Sequence, residues 1–239
     1  MKSPTLAFLG LAKKTFFFQN VLSWFVSKQP PILEHNLAKY NALKKAFYLT
    51  ALENLEGDYY EFGVFTGSSF VFAARFHKKM NNGQLNTKFY GFDSFEGFGE
   101  HPESDEHPFY NNDTFTINPD KVIKNIKKKT SGLEVHISKG FFEHTLKGKS
   151  GKVRVAFIDC DMKQPAVYAL RYIRDGLHPG SILVMDDFFS YRGSDKLGVA
   201  GAFYDFQADN PHISFRKLFD YGYGEIGRAH VWTPVTLES

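Results

Sequence analysis

Apolar positions along the chain follow two alternating periods. Over 33–55 they recur at helical spacing, at Leu37, Tyr40, Leu43, Ala46 and Phe47, until Gly57-Asp58 breaks the run. Residues 59–64 (YYEFGV) then read as a first buried strand. A glycine-bearing turn leads into a helix over 68–80, which Asn81-Asn82-Gly83 ends. Further strands are predicted at 88–92, 133–139, 153–159, 181–185 and 213–219, with helices at 119–129, 165–175 and 197–209. Strands alternating with helices argue an α/β fold: a mostly parallel, doubly wound sheet with ligands at the carboxyl ends of its strands. The pattern lapses after Asp93. The stretch 97–118, rich in Gly, His, Pro, Asp and Asn, is too long for a plain connector and is expected to be a lid.

The ends of the chain depart from this rhythm. Residues 6–26 are apolar and aromatic but interrupted by Lys13, Lys14, Gln19 and Asn20, so they make a poor membrane span. They are expected to form a helix packed on the domain, with an interfacial helix at a membrane surface as the alternative. Residues 226–239 (IGRAHVWTPVTLES) read as a translated sequencing adapter, with a stop codon read as Trp232, and are expected to be a non-native tail. The expected organisation is therefore an N-terminal helical segment, 1–56, a main domain, 57–225, and the tail.

Composition narrows the class. Among 239 residues there is one cysteine, aromatics reach 17% and the net charge is +3, which excludes a disulfide-stapled mini-protein and a disordered chain. The modest positive charge, spread along the chain, argues against a nucleic-acid partner. With no secretion signal, the expected compartment is the cytoplasm.

Polar residues cluster where the predicted strands end. The first strand runs into Glu61-Phe62-Gly63-Val64-Phe65-Thr66-Gly67-Ser68-Ser69, a turn whose glycines let the backbone bend tightly and approach a ligand at a helix N-terminus. The second ends in FDSFEG, 92–97, where Asp93 is placed either to accept from ribose hydroxyls or to cap a turn. The fourth ends in Asp159-Cys160-Asp161 and the fifth in Asp186-Asp187. Clustered carboxylates at a crevice call for a cation, and oxygen ligands suit Mg²⁺, Mn²⁺ or Ca²⁺. Cys160, between two of them, is expected to pack rather than to ligate.

Taken in order, E-x-G-x-x-x-G-x-S, FDSFEG, IDCDM and MDDFF resemble the macrocin O-methyltransferase family over roughly 33–223, and catechol O-methyltransferase more distantly. The resemblance implies a three-layer, Rossmann-like class I methyltransferase fold with an N-terminal helical extension. It implies S-adenosylmethionine as cofactor, Mg²⁺ as metal, and a sugar or other small-molecule acceptor. Glu61, Gly63, Gly67 and Ser69 match the segment that holds the cofactor's methionine part, Asp93 the ribose carboxylate, and Gly140-Phe141 the segment beside the adenine. Asp159, Asp161, Asp186 and Asp187 match the acidic tips where the family places its metal. The chain departs from the family at Ser68, where a second glycine is common, and at Lys163, where an aromatic is common.

Methyl transfer from a sulfonium to a hydroxyl needs a base. Asp187 and Lys163 are the candidates, with His101 and His107 of the lid behind them. Two other readings remain at this level: a nucleotide-sugar glycosyltransferase using Asp159-Cys160-Asp161, and an inactive cofactor-binding scaffold. The macromolecular partners to consider are a membrane surface and a second copy of the chain.

Overall fold

The computed structural model describes residues 15–81, 86–108, 110, 115–223 and 225–231. Its elements in chain order are α1 (Phe16–Ser27), α2 (Pro31–Leu52), β1 (Asp58–Phe62), α3 (Ser68–Asn81), β2 (Phe89–Asp93), α4 (Pro119–Lys129), β3 (Val135–Lys139), α5 (Phe142–Thr145), β4 (Val153–Ile158), α6 (Lys163–Ile173), β5 (Ile182–Met185), α7 (Gly198–Asp209), β6 (Ser214–Tyr221) and β7 (Glu225–Val231). The helix expected to start at 165 begins at Lys163, two residues closer to the acidic tip of β4.

The seven strands lie in the order β3-β2-β1-β4-β5-β7-β6. All pairings from β3 to β5 are parallel, and β7 runs antiparallel to both β5 and β6. The chain builds outward from β1 through β2 to β3, then returns to place β4 on the other side of β1. That reversal makes the carboxyl ends of β1 and β4 the switch point, the usual ligand position in such sheets.

Two apolar layers sandwich the sheet. One gathers Tyr60, Phe62, Ile158, Leu170 and Phe203 with α6 and α7, the other Leu43, Phe47, Tyr59, Phe70 and Phe157 with α2, α3 and α4. Period-two alternation sends neighbouring strand residues to opposite layers. All six residues of β4 are buried, as expected for a central parallel strand covered on both faces. Each large side chain so buried contributes about 1.5–3 kcal/mol. In α4, Asn118 accepts from the Lys121 N–H at 3.1 Å, Pro119 opens the helix, and Lys127, Lys128 and Lys129 close it against the negative dipole end.

Two expected boundaries move. The chain divides into a small N-terminal unit ending at Leu37 and a main unit beginning at Ala38, not 57. The reason is that Ala42, Leu43, Ala46, Phe47 and Thr50 form one buried face of α2 and belong to the core. At the other end, residues 226–231 do not fall outside the sheet: they lie in β7, with Ile182 opposite Ala229 and Arg216 also opposite Ala229. Without a strand there, β5 would present a row of unpaired backbone groups. In the N-terminal unit, α1 has no buried residue, and Phe16, Phe17, Trp24, Phe25 and Val26 are all exposed. Residues 1–14 of the apolar run lie outside the described residues. Among the described residues no helix is long and apolar enough to cross a membrane.

Candidate active site

At the carboxyl edge of the sheet the main chain turns sharply four times. Each turn uses a non-glycine residue in the left-handed region: Phe65 (φ 46°) after β1, Phe95 (φ 59°) after β2, Asp161 (φ 64°) after β4 and Asp187 (φ 52°) after β5. Such conformations cost on the order of 1–3 kcal/mol each and persist where the surroundings hold them. Asp161 and Asp187 are thus aimed by the backbone itself.

The strand tips bring the acids together. Asp159 continues the ladder through its N–H to Phe62 O, and Asp186 through its N–H to Ile158 O, both at 2.9 Å. Ligand oxygens of Asp159, Asp186 and Asp187 lie within 4.8 Å of one another. Asp161 is outside that trio, and the charge of Asp187 helps to raise its carboxyl. The expected set of four is therefore a trio plus a partner. A residue that the motifs do not reveal completes the cluster. Lys39 of α2 places Nζ 2.8 Å from Oδ2 of both Asp159 and Asp186. Tyr221 at the end of β6 donates to Asp186 Oδ1 at 2.9 Å.

The electrostatics follow from burial. Burial works against the Lys39 ammonium, but the two carboxylates outweigh it and hold Lys39 well above the usual lysine range. Burial pushes Asp159 well up; Lys39 opposes that and Asp186 adds to it. Asp161 is raised by burial and then by Asp187, and Asp187 by burial and then by Asp186. Lys39 pairs with two of the four acids, and burial with mutual repulsion leaves the cluster wanting a further cation or a proton. Cys160 is buried in the core beside Ile158, as expected, with its thiol pushed up by burial.

The turn after β1 is built for close approach, but of protein rather than ligand. Gly63 has φ +96°, and a Cβ there would lie 1.7 Å from Asp159 O; a Cβ on Gly67 (φ +76°) would strike Ile126. Glu61 is fully buried and accepts from Tyr59 and from Ser69 Oγ at 2.6 Å. Glu61 and Ser69 therefore brace the turn from beneath. Burial pushes the Glu61 carboxyl up to about 7, against the hydrogen bonds from Ser69 and Tyr59. Asp93 accepts the N–H groups of Val64 and Phe65 at 2.7 Å and of Phe95 at 2.6 Å. It ties two strand ends together as a turn cap, and most of its acceptor capacity is used. Gly140 donates to Asp93 O at 2.9 Å, and a Cβ on Gly99 would meet the Phe141 ring at 2.8 Å, so the lid's start lies on Phe141.

Lys163 does not join the acids. Its Nζ pairs with Asp205 at 2.8 Å and donates to Lys196 O at 2.9 Å, because α6 begins there and turns the side chain toward α7. The lid histidines stay out as well. His101 Nδ1 lies 3.0 Å from Gly99 O, and the His107 ring packs 4.5 Å from Tyr110 and 5.0 Å from Tyr191. Tyr110 reaches Ser190 Oγ at 3.2 Å and Ser190 reaches Asp187 at 3.4 Å, which links the lid to the acidic tip of β5.

Comparison with known proteins agrees with this geometry. A search of curated proteins finds no match. The structure is similar to that of the O-methyltransferase NovP, with a TM-score of 0.69 and 16% identity over 82% of this chain and 80% of NovP. It is similar to the calicheamicin methyltransferase CalS11, with a TM-score of 0.64 and 16% identity over 96% of this chain and 94% of CalS11. An apo form of CalS11, described as a TDP-rhamnose 3'-O-methyltransferase, matches with a TM-score of 0.55 and 17% identity over 96% of each chain. These likenesses establish the class I methyltransferase architecture. The family model for macrocin O-methyltransferase matches residues 35–211, from α2 to the end of α7. The chain thus belongs to the macrocin O-methyltransferase family and is a methyltransferase.

Proposed function

We propose that this enzyme transfers a methyl group from S-adenosylmethionine to a hydroxyl of a sugar or glycosylated metabolite, with a divalent cation at the acidic crevice. The observation that carries the reading is the convergence of Asp159, Asp186 and Asp187 oxygens within 4.8 Å. The switch-point crevice and the sugar methyltransferase CalS11 support it. The donor set fits Mg²⁺: three hard oxygen ligands in a cluster whose negative charge exceeds what Lys39 offsets. Asp159, Asp186 and Asp187 would hold the ion. When bound, it supplies orientation of neighbouring hydroxyls and a lowered pKa for the attacking one.

The remaining work falls to the chain. The sugar oxygen attacks the sulfonium methyl in line; the O–C bond forms, the S–C bond breaks, and the hydroxyl proton passes to the Asp161–Asp187 pair. The N–H groups at the start of α3 face the cofactor's carboxylate. The spare lone pair of Asp93 serves the ribose, and Phe141 borders the adenine. The cluster of Phe98, Tyr110, Met162, Tyr191 and Leu197 keeps water out.

The test is a thermal shift on this chain with S-adenosylhomocysteine, with and without Mg²⁺, followed by mass spectrometry of nucleotide-sugar and glycoside acceptors. A raised midpoint and a methylated sugar are expected. A shift with nucleoside diphosphate and none with S-adenosylhomocysteine would overturn the cofactor. Cofactor binding with no acceptor methylated would favour the scaffold reading.

For α1 we propose a peripheral seat on an anionic bilayer. Trp24, Phe17, Val21, Phe25, Phe18, Leu22 and Val26 occupy one broad face, and Gln19, Asn20, Ser23 and Ser27 sit in a narrow polar stripe. The first 33 residues hold four lysines and no acid, which favours anionic lipid over a second copy of the same basic segment. Flotation with phosphatidylserine vesicles, lost in Trp24→Glu with Phe25→Glu, is the expected result; concentration-dependent dimerisation without flotation refutes it.

A further inference from the structure

Lys39 stands where a cation is wanted. It lies on a helix far from the acidic motifs in sequence, yet its Nζ is 2.8 Å from an oxygen on the tip of β4 and 2.8 Å from an oxygen on the tip of β5. Its side chain is only 12% exposed. Its stem passes along the core, with Nζ 5.6 Å from the centre of the Phe157 ring. Two of its three N–H donors are thereby matched to carboxylates, the charge-assisted bonds that an ammonium makes best. The carboxylates it holds, Asp159 and Asp186, are two of the three whose oxygens converge.

An ammonium and a divalent ion compete for such a seat. Magnesium bound to these acids would sit about 2.1 Å from their oxygens. An ammonium kept at hydrogen-bond distance from the same pair would face it across a few ångströms of poorly hydrated space, where like charges repel strongly. We propose that Lys39 is a built-in, displaceable counter-ion. It holds Asp159 and Asp186 together when the divalent ion is away and sets how tightly that ion binds. This rests on the metal reading above and adds to it a residue that controls occupancy. Lys39 touches neither methyl donor nor acceptor in this account; it acts through the acids.

Binding of Mn²⁺ to the full chain, followed by electron paramagnetic resonance, tests the proposal. Lys39→Met is expected to bind Mn²⁺ at least about tenfold more tightly than the wild type, with Lys39→Arg near the wild type. Equal or weaker binding by Lys39→Met overturns the counter-ion role and leaves the metal site standing. No binding by either protein overturns both. A second measurement needs no variant. Acylation of the Lys39 amine, read by peptide mass spectrometry on the wild type, should rise severalfold on adding Mn²⁺ as the ammonium is displaced. Unchanged labelling at an Mn²⁺ concentration that fills the site overturns the proposal even where Lys39→Met does not fold.

Discussion

The two ends of β4 bury charge in opposite ways. At the amino end, Arg154 is fully buried, and among the described residues no carboxylate pairs with it. Its Nε donates to Thr50 at 2.9 Å and its Nη1 to Thr87 at 3.3 Å, His77 Nδ1 lies 3.5 Å away, and Nη2 has no hydrogen-bond partner. Burial pushes this guanidinium down to about 10. At the carboxyl end, five residues later, Asp159 enters a cluster of four acids around one ammonium. The amino end tolerates a charge by surrounding it with neutral dipoles and aromatic rings, Phe47 among them at 5.6 Å. The carboxyl end concentrates charge and leaves it undercompensated. The first arrangement needs nothing more from outside the protein; the second is completed by a cation or a proton. The contrast separates a structural burial from a functional one on a single strand.

The strongest way to break the contrast is at the carboxyl end. Asp187→Asn removes one of the two proton-accepting carboxylates and the charge of one converging ligand, and turnover on a confirmed acceptor should fall by about 10²–10⁴ with little change in the thermal midpoint. Turnover unaltered in Asp186→Ala and Asp187→Ala, with and without chelator, would remove both metal and base roles. Glu61 sharpens the comparison, since it is a buried acid at the carboxyl end whose hydrogen bonds come only from neutral groups. Its carboxyl is pushed from 4.5 to about 7 in the folded protein. The folded state keeps the proton across that window while the unfolded chain releases it. Stability therefore falls as pH rises from about 4.5 to 7, by about 3 kcal/mol in all. Urea midpoints measured against pH should show that slope, reduced in Glu61→Gln. The part that remains belongs to Asp58, Asp93, Asp159, Asp161 and Asp187, which shift in the same direction; an identical slope in the variant would contradict the assignment.

Effects at the amino end should be smaller and confined to stability. Thr50→Val strips Arg154 of its shortest hydrogen bond and should cost about 1–3 kcal/mol. Arg154→Met should be neutral or stabilising by about 1–2 kcal/mol, because it replaces an incompletely solvated charge with an apolar chain of similar length. Denaturant curves and turnover measured together would show this; a large loss of activity in Arg154→Met would blur the line between the two ends. The smallest effect is expected from Lys163→Met. Its ammonium is held by Asp205 and Lys196 O, so kcat and KM on a confirmed acceptor should change by less than about threefold.

Much of this was legible in the sequence because it is local. Strand and helix periods placed β1 to β6 and the main helices to within a few residues, and the tips of β4 and β5 carry their acids within a few residues of chain. Lys39 was not legible. A lysine on an amphipathic helix ordinarily faces water, and only the packing of α2 on the sheet brings it to Asp159, 120 positions away. Tyr221 escaped for the same reason, as it reaches Asp186 across the intervening strand β7. Lys163 misled because adjacency to a motif says nothing of direction once a helix starts there. Asp93 shows the turn-capping role, one of its two expected readings, and Gly63 lets the end of β1 lie close against Asp159. The slot filled by β7 is set by the open edge of β5, a demand that residues 226–231 do not announce.

The left-handed corners have a consequence for how such an enzyme can diversify. Since Asp161 and Asp187 take their bearing from main-chain torsion, lid positions other than its anchors, such as Asp105 and Tyr110, are free to change in shape and polarity without disturbing the reacting geometry. New acceptors can then be accommodated by rewriting the roof while the floor stays as it is, and chimaeras that exchange 97–118 between relatives are the natural place to look for altered regiochemistry.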